Sequence, residues 1–348
     1  MCIRDRCKTG HSVCFYLTLV CIFVGATIES KSKDVTFINK ETYLGEPKTV
    51  EMKMQYRVSA PNKTYRAKFV LLIPETLPNR QKVISKEWIL PPTKIHKRDG
   101  GTYAEWILDK PRGDIDIGCI IKMEIYPFDY SRLNRDLGSK DDDFKKYLIS
   151  EKFIETKSKV IMDLAQKSAP KRSKGGILLH SIFNSTIKKL DKYNFANEPK
   201  GALGALKLGG GDCTDYTDLF VALCRARGLP ARHVHGILAS GFSDTPKHSW
   251  AEVYIPHNGW VRLDPFLVEA GKASFRRLKN YYITLNHDRN DGIYSKDNGV
   301  WYWRYNYWGD PIAISEKLDC GYGVFSERLS SIKAVSYTHL TLPTIYSV

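Results

Sequence analysis

Apolar residues in this chain change their spacing near residue 135, and that change constrains the fold more than any other feature. Before it, they alternate. In TVEMKMQYRV (49–58), Val50, Met52, Met54, Tyr56 and Val58 share one face, while Thr49, Glu51, Lys53, Gln55 and Arg57 share the other. A period of two is that of a half-buried strand. Residues 114–125 repeat it, with Ile115, Ile117, Cys119, Ile121, Met123 and Ile125 on one face. Lys68–Ile73, Val83–Leu90 and Tyr103–Leu108 lie between, separated by Pro and Gly turns. Several short strands with turns between them predict a β-sandwich from about residue 30 to about 130. After the polar stretch Ser131–Asp143, read as a linker, the spacing becomes three and four residues. Phe153–Gln166 and Gly176–Leu190 then read as core helices. A composition of 43% hydrophobic and 26% charged residues excludes a disordered chain. The expected fold class is α+β, with a β-sandwich at 27–135 and a helix-containing domain at 136–334.

The two ends are read separately. Arg4, Arg6 and Lys8 precede an apolar run from Val13 to Ala26, and Val24-Gly25-Ala26 supplies small residues for cleavage. Residues 1–26 are therefore expected to be a signal peptide for export, periplasmic or secreted, with an uncleaved membrane anchor as the alternative. MCIRDR (1–6) and residues 335–348 resemble translated sequencing-adapter remnants and are set aside as artefacts. The full chain carries 53 Lys and Arg against 38 Asp and Glu, a net +15. Removing residues 1–26, with three basic and one acidic residue, leaves +13; the tail carries none of these residue types. Such a basic balance suits an anionic partner, with a solvated surface as the simpler alternative. Cys2, Cys7, Cys14 and Cys21 fall in the leader, leaving Cys119, Cys213, Cys224 and Cys320. Four cysteines in an exported chain leave disulfides open. No CxxC pair is present, so zinc-finger and thioredoxin-like readings fail.

The chemistry is concentrated downstream. Residues 209–230 read GGGDCTDYTDLFVALCRARGLP. Three glycines make a permissive turn that leaves space beside the cysteine. A helix begins near Asp212 or Cys213, carries Tyr216, Leu219, Phe220 and Leu223 as an apolar stripe, and ends at Gly228 before Pro230. Cys213 thus sits in the first turn, where the helix dipole favours thiolate. Cys224 falls near the apolar face and reads as packing, as does Cys119.

Residues 248–265 read HSWAEVYIPHNGWVRLDP, a strand, a turn at Pro256-His257-Asn258-Gly259, and a return strand. The hairpin brings His248 and Asp264 toward one end of two neighbouring strands. A carboxylate beside an imidazole fixes its tautomer and stabilises imidazolium, which can stabilise a thiolate and protonate a leaving amine. Register decides whether they meet. A four-residue loop pairing Ile255 with Trp260 puts them on opposite faces; a three- or five-residue loop, or a bulge, puts them on one. The expectation is such an irregularity.

GDCTDYTDLFVALCRARGLPARHVHG followed by HSWAEVYIPHNGWVRLDPF resembles the transglutaminase-like cysteine-enzyme superfamily. Its ordered blocks are Gly-x-Cys with a helix ending in Arg-x-x-Gly-Leu-Pro-Ala-Arg, then His-x-Trp-x-Glu-x-Tyr, then Gly-Trp-x-x-x-Asp-Pro, spanning Gly209–Phe266. The resemblance implies a papain-like core, a cysteine-bearing helix packed on an antiparallel sheet. It also implies Cys213 as nucleophile, His248 as general base and acid, and Asp264 as the orienting carboxylate. The implied function is an exported enzyme acting on amide bonds by acyl transfer, of protease or amidase type. Protein-glutamine cross-linking is the alternative, and a non-catalytic scaffold binding a polyanion or glycan the third reading. The expected partner is a protein or peptide substrate, with an anionic cell-surface polymer a further candidate. No specific nucleic acid, cofactor or metal is expected.

Other features are weaker. A second oxyanion donor is sought near Tyr193 or Asn194. His233 and His235 alternate on a strand and are expected to line a cleft or surface rather than bind metal. Asp141–Asp143 and the acidic residues at 287–291 lack calcium-loop spacing. Lys171-Arg172-Ser173-Lys174 reads as a solvated loop. Asn62 and Asn184 begin glycosylation sequons. In WYWRYNYW (301–308), Trp301, Trp303, Tyr305 and Tyr307 share a strand face, read as core or cleft wall before binding platform.

Overall fold

A computed structural model describes residues 46–130, 144–194, 198–239, 245–256, 258–291 and 299–321. The leader, the linker at 131–143 and the tail at 335–348 lie outside the described residues. The first strands are β1 (Lys48–Ala60), β2 (Arg66–Ile73), β3 (Gln81–Leu90), β4 (Lys94–Lys97), β5 (Thr102–Asp109), β6 (Gly113–Ile125) and β7 (Phe128–Asp129). They include every strand expected from alternation, and the apolar face of β1 is buried from Val50 to Val58. Each such side chain contributes roughly 1.5–3 kcal/mol when fully buried.

Then come α1 (Lys159–Ser168), α2 (Gly175–Lys189), β8 (Lys192–Tyr193), α3 (Gly201–Leu208), β9 (Gly210–Gly211) and α4 (Cys213–Ala226). Next are β10 (Ala231–Leu238), β11 (Lys247–Ile255), β12 (Gly259–Leu263) and α5 (Pro265–Glu269). The last elements of the described residues are β13 (Arg277–Leu278), β14 (Tyr282–Asn286), β15 (Trp303–Trp308) and β16 (Ala313–Gly321). The α1 helix starts six residues later than its apolar spacing suggests. Phe153 takes φ +70° and Glu151 bridges Ile154, so a tight turn occupies that stretch, although Ile154 is still buried.

Two four-stranded antiparallel sheets form the sandwich, in the orders β16-β1-β6-β3 and β15-β2-β5-β4. Each takes an edge strand from the far end of the chain, which the sequence reading had placed with the second domain. Alternation identifies a strand but not its partner, because pairing is a long-range choice. Nine residues of β1, Glu51–Ser59, pair in continuous register with β16.

The second layer set is the antiparallel sheet β12-β11-β10-β14, with α4 lying on β10 and β11 and α1, α2, α3 and α5 packed around α4. Residues Cys213 to Arg225 of α4 are all buried. An expected amphipathic helix is therefore an internal one, buried all round. Its polar side chains find internal partners: Thr217 Oγ1 donates to Cys213 O at 2.7 Å, and Asp218 pairs with Arg289. Cys119, Cys213, Cys224 and Cys320 are all free thiols. The disulfides left open by the cysteine count are thus not formed among these four, and burial pushes the Cys119 and Cys320 thiols up to about 12.

The sandwich grips the second layer through polar side chains. Gln81 makes a double hydrogen bond to the Thr284 backbone, at 2.9 and 2.7 Å. Glu252 of β11 receives Arg80 at 2.6 Å and Arg232 at 2.5 Å. Burial alone would raise the Glu252 carboxyl, but the two guanidinium groups outweigh it and hold the group well below the usual range.

Candidate active site

Cys213 occupies the first position of α4. Asp212 caps the helix: its side chain accepts from the Thr214 and Asp215 backbone N–H groups, and the Asp215 carboxylate accepts from the Asp212 N–H. This is a capping box with Asp in place of the usual Glu. The glycines ahead of it serve packing rather than access. Gly209 caps α3 at φ +65°. A Cβ on Gly210 would stand 2.3 Å from Lys192 O, and one on Gly211 2.4 Å from the Asp215 Cβ. The expected open space is filled by neighbouring chain.

His248 lies in β11 and Asp264 just beyond β12. Ile255 pairs with Gly259, Val253 with Val261 and Ala251 with Leu263, leaving a three-residue loop. Continuing that register sets Asp264 opposite Trp250, on the sheet face of His248. Local chemistry explains the loop. Asn258 N–H closes a turn onto Ile255 O at 2.9 Å, and Gly259 follows at φ +72°. A tight turn followed by a left-handed glycine is the usual three-residue hairpin.

The side chains converge. His248 Nε2 stands 2.7 Å from Asp264 Oδ2, and His248 also hydrogen-bonds Cys213. With Nε2 on the carboxylate, Nδ1 is the ring nitrogen that remains for the thiol. Burial would lower the imidazole. The charges of Asp264 and Cys213 and their hydrogen bonds outweigh it and push His248 up to about 10. Asp264 is itself held from two more sides: Leu267 N–H donates to Oδ1 at 2.9 Å and Tyr282 OH to Oδ2 at 2.7 Å. Helix and sheet are tied beside the site by the Thr214 and Ser249 hydroxyls, 3.4 Å apart. The indole of Trp250 stacks near His248, with ring centroids 6.3 Å apart.

Two contributors were not legible from the motifs. Tyr302 OH donates to His248 O at 3.3 Å, and its phenol is pushed up by burial and then by the Cys213 charge. It lies in the aromatic run, one residue before β15 begins. Lys200 Nζ reaches Asp215 Oδ2 at 2.7 Å and Asn194 O at 2.8 Å. Burial, then the Asp212 charge, push the Asp215 carboxyl up to about 6, while Lys200 opposes the rise.

The segment considered for a second oxyanion donor does lie alongside. Tyr193 pairs with Gly211, Asn194 N–H donates to Gly211 O at 3.2 Å, and the Tyr193 phenol is raised by burial and by the charges of Asp212 and Cys213. His233 and His235 are not at a cleft or surface. Both are buried, and His233 Nδ1 stands 2.9 Å from Asp218 Oδ1, behind α4. Their strand lies within the sheet, paired on both edges by β11 and β14, and all of its residues except Arg232 are buried. Among the described residues, no group of three or more His, Cys, Asp or Glu side chains is arranged to hold a metal ion. The aromatic side chains of β15 are half-buried, with Trp303 stacked on Phe69 at 5.6 Å, as a wall strand requires.

Known proteins share sequence pattern and fold with part of this chain. Residues 165–265, from α1 through Cys213, His248 and Asp264, match the model of the transglutaminase-like superfamily. A 68-residue stretch is 32% identical to "Uncharacterized protein YebA" of Bacillus subtilis (strain 168), covering 16% of this chain and only 9% of that protein's length. The structure overlays on that of "a putative cysteine protease" from Cytophaga hutchinsonii with a TM-score of 0.56 at 14% identity. The overlay covers 80% of this chain and 91% of the other, and at that identity the likeness is one of fold. The periplasmic domain of TgpA from Pseudomonas aeruginosa matches at a TM-score of 0.37 and 13% identity, over 63% of this chain and 90% of that one. With the ordered sequence blocks and the family match in agreement, residues 165–265 are the core of a transglutaminase-like domain.

Proposed function

We propose that the protein is a cysteine-dependent enzyme that cleaves amide bonds by acyl transfer, with Cys213 as nucleophile, His248 as general acid and base, and Asp264 as orienting carboxylate. The observation that carries this reading is the position of His248, bonded to Asp264 on one side and Cys213 on the other. An imidazole raised to about 10 is imidazolium at neutral pH, the partner a thiolate needs. The thiolate attacks the amide carbonyl carbon, forming a C–S bond and placing negative charge on the oxygen. As the C–N bond breaks, His248 gives its proton to the departing nitrogen. The neutral imidazole then takes a proton from water, whose oxygen attacks the thioester, and the carboxylic acid leaves as the thiolate–imidazolium pair is restored. An amine in place of water gives cross-linking by the same steps. The helix N-terminus at Cys213 supports the oxyanion, and Tyr193 is the side chain whose place beside Gly211 suits a second donor. The apolar leader at 13–26 supports export.

The test is intact-mass detection of an acyl-enzyme on Cys213 after exposure to a pool of Gln-containing peptides, with and without a primary amine. A thioester adduct that turns over to free acid is the expected result, and accumulation of amine-coupled peptide instead makes the enzyme a cross-linker. Absence of any adduct, together with Cys213 alkylation no faster than that of free cysteine, leaves the scaffold reading.

A further inference from the structure

Positive charge is concentrated in the segment that leads to Cys213. Residues 159–208 hold ten Lys and Arg against three Asp and Glu, a net +7 within the +15 of the whole chain. The fold gathers part of it at one place. The α2 helix ends at Lys188 and Lys189, β8 begins at Lys192, and α3 ends at Lys207 and Leu208. Lys192 pairs with Gly210 and Tyr193 with Gly211, while a Cβ on Gly209 would stand 3.9 Å from Lys189 O. Lys189, Lys192 and Lys207 therefore flank the Gly209–Gly211 turn, two residues ahead of Cys213, and Lys188 precedes Lys189 at the end of α2.

All four are exposed, and among the described residues none forms an ion pair. Lys200, in contrast, is consumed by Asp215. Lysines at the ends of α2 and α3 also complement the helix dipoles. Lys192 has no helix to complement. Between the lysines, Tyr193 and Leu208 are 55% and 52% exposed. Asp191 and Glu198 are the acidic residues in this stretch.

We propose that this lysine lip, with Tyr193 and Leu208, docks an acidic stretch of a protein substrate and so delivers its acyl group to Cys213. Exposed charges of one sign beside a reactive group raise the local concentration of opposite charge. Interleaved apolar side chains favour a polypeptide over a phosphate backbone, which also carries no acyl group. The inference rests on Cys213 being the nucleophile.

Alkylation of the full chain by two small reagents separates the two claims. Iodoacetate is an anion and iodoacetamide is neutral, and both attack the same sulfur. The ratio of their rates at Cys213 is measured for the native protein and for Lys188→Gln/Lys189→Gln/Lys192→Gln/Lys207→Gln. His248 and the helix N-terminus favour the anion in both proteins, so the difference reports the lysines. The ratio is expected to fall roughly threefold or more in the quadruple variant at low salt, and the difference to vanish at about 0.5 M salt. Lys171→Gln/Arg172→Gln/Lys174→Gln, removing charge from the other end of α2 about 22 Å away, is expected to leave the ratio at its native value. Poly-L-glutamate should protect native Cys213 from iodoacetamide and protect the quadruple variant far less. A native Cys213 inert to both reagents overturns the nucleophile and the lip together. A reactive Cys213 whose ratio is the same in native and quadruple variant overturns the lip alone. Protection by a DNA duplex equal to that by poly-L-glutamate also overturns it, since the surface would then be a general polyanion site.

Discussion

Asp264 shows how much positioning a single carboxylate receives. One oxygen accepts from Leu267 N–H, and the other from both His248 Nε2 and Tyr282 OH. Tyr282→Phe removes one of these without changing shape. The expected cost is about 1 kcal/mol of stability, with slower alkylation of Cys213 and a shifted pH midpoint for that reaction. A variant that loses stability while keeping the native pH midpoint would make Tyr282 merely structural. His248 carries a second expectation. Its folded value, about 10, lies above that of a free imidazole, about 6.5. The imidazolium therefore stabilises the fold fully below pH about 6.5, and that contribution is lost as pH rises through about 10. The fall in unfolding midpoint between pH ~7 and ~10 should be smaller in His248→Gln than in the native protein. Equal falls would show that the pair contributes nothing to stability.

At the scale of elements, the site depends on the length of one hairpin loop. A three-residue connection from Ile255 to Gly259 keeps His248 and Asp264 on one sheet face. One residue inserted between Asn258 and Gly259 moves Asp264 to the opposite face if β11 and β12 otherwise keep their pairing. Alkylation of Cys213 should then slow to the rate of free cysteine while the β-sheet signature in circular dichroism persists. Rapid alkylation with the insertion present would mean that Asp264 is not needed. Gly259→Ala tests the turn itself. At φ +72°, an alanine should cost roughly 1 kcal/mol of stability, read from the denaturant midpoint. The other linking element, α4, is braced at its start by Asp212, Asp215 and Lys200. Its internal Asp218–Arg289–His233 contact explains polar residues that a surface helix would have turned to water.

Across the whole molecule, the last strand ties the sandwich to the site. β16 pairs with β1, while Glu316 reaches Lys247 at 2.6 Å and Leu318 O accepts from Thr245 N–H at 3.1 Å, just ahead of His248. Ending the chain after Asp310 removes this strand. It should destabilise the fold by roughly 3 kcal/mol or more, through lost burial of Leu318 and Cys320 and an exposed β1 edge, and slow Cys213 alkylation. A truncated chain with a native unfolding midpoint would sink the idea that β16 is integral. Sequence alone determined what depends on neighbours along the chain: the alternation of β1 and β6, the amphipathic spacing within α2, and the glycine–cysteine start of α4. It also supplied the three ordered blocks that name Cys213, His248 and Asp264, because those blocks are residue types at fixed local spacing. It left the loop length open between one face and two. Only the tertiary structure decided which strands pair, that β15 and β16 return to the first sheets, and that Tyr282, Tyr302 and Lys200 stand around the site. Those contacts join residues tens to hundreds of positions apart, and a hydrogen bond between them leaves no period in the chain from which it could be read.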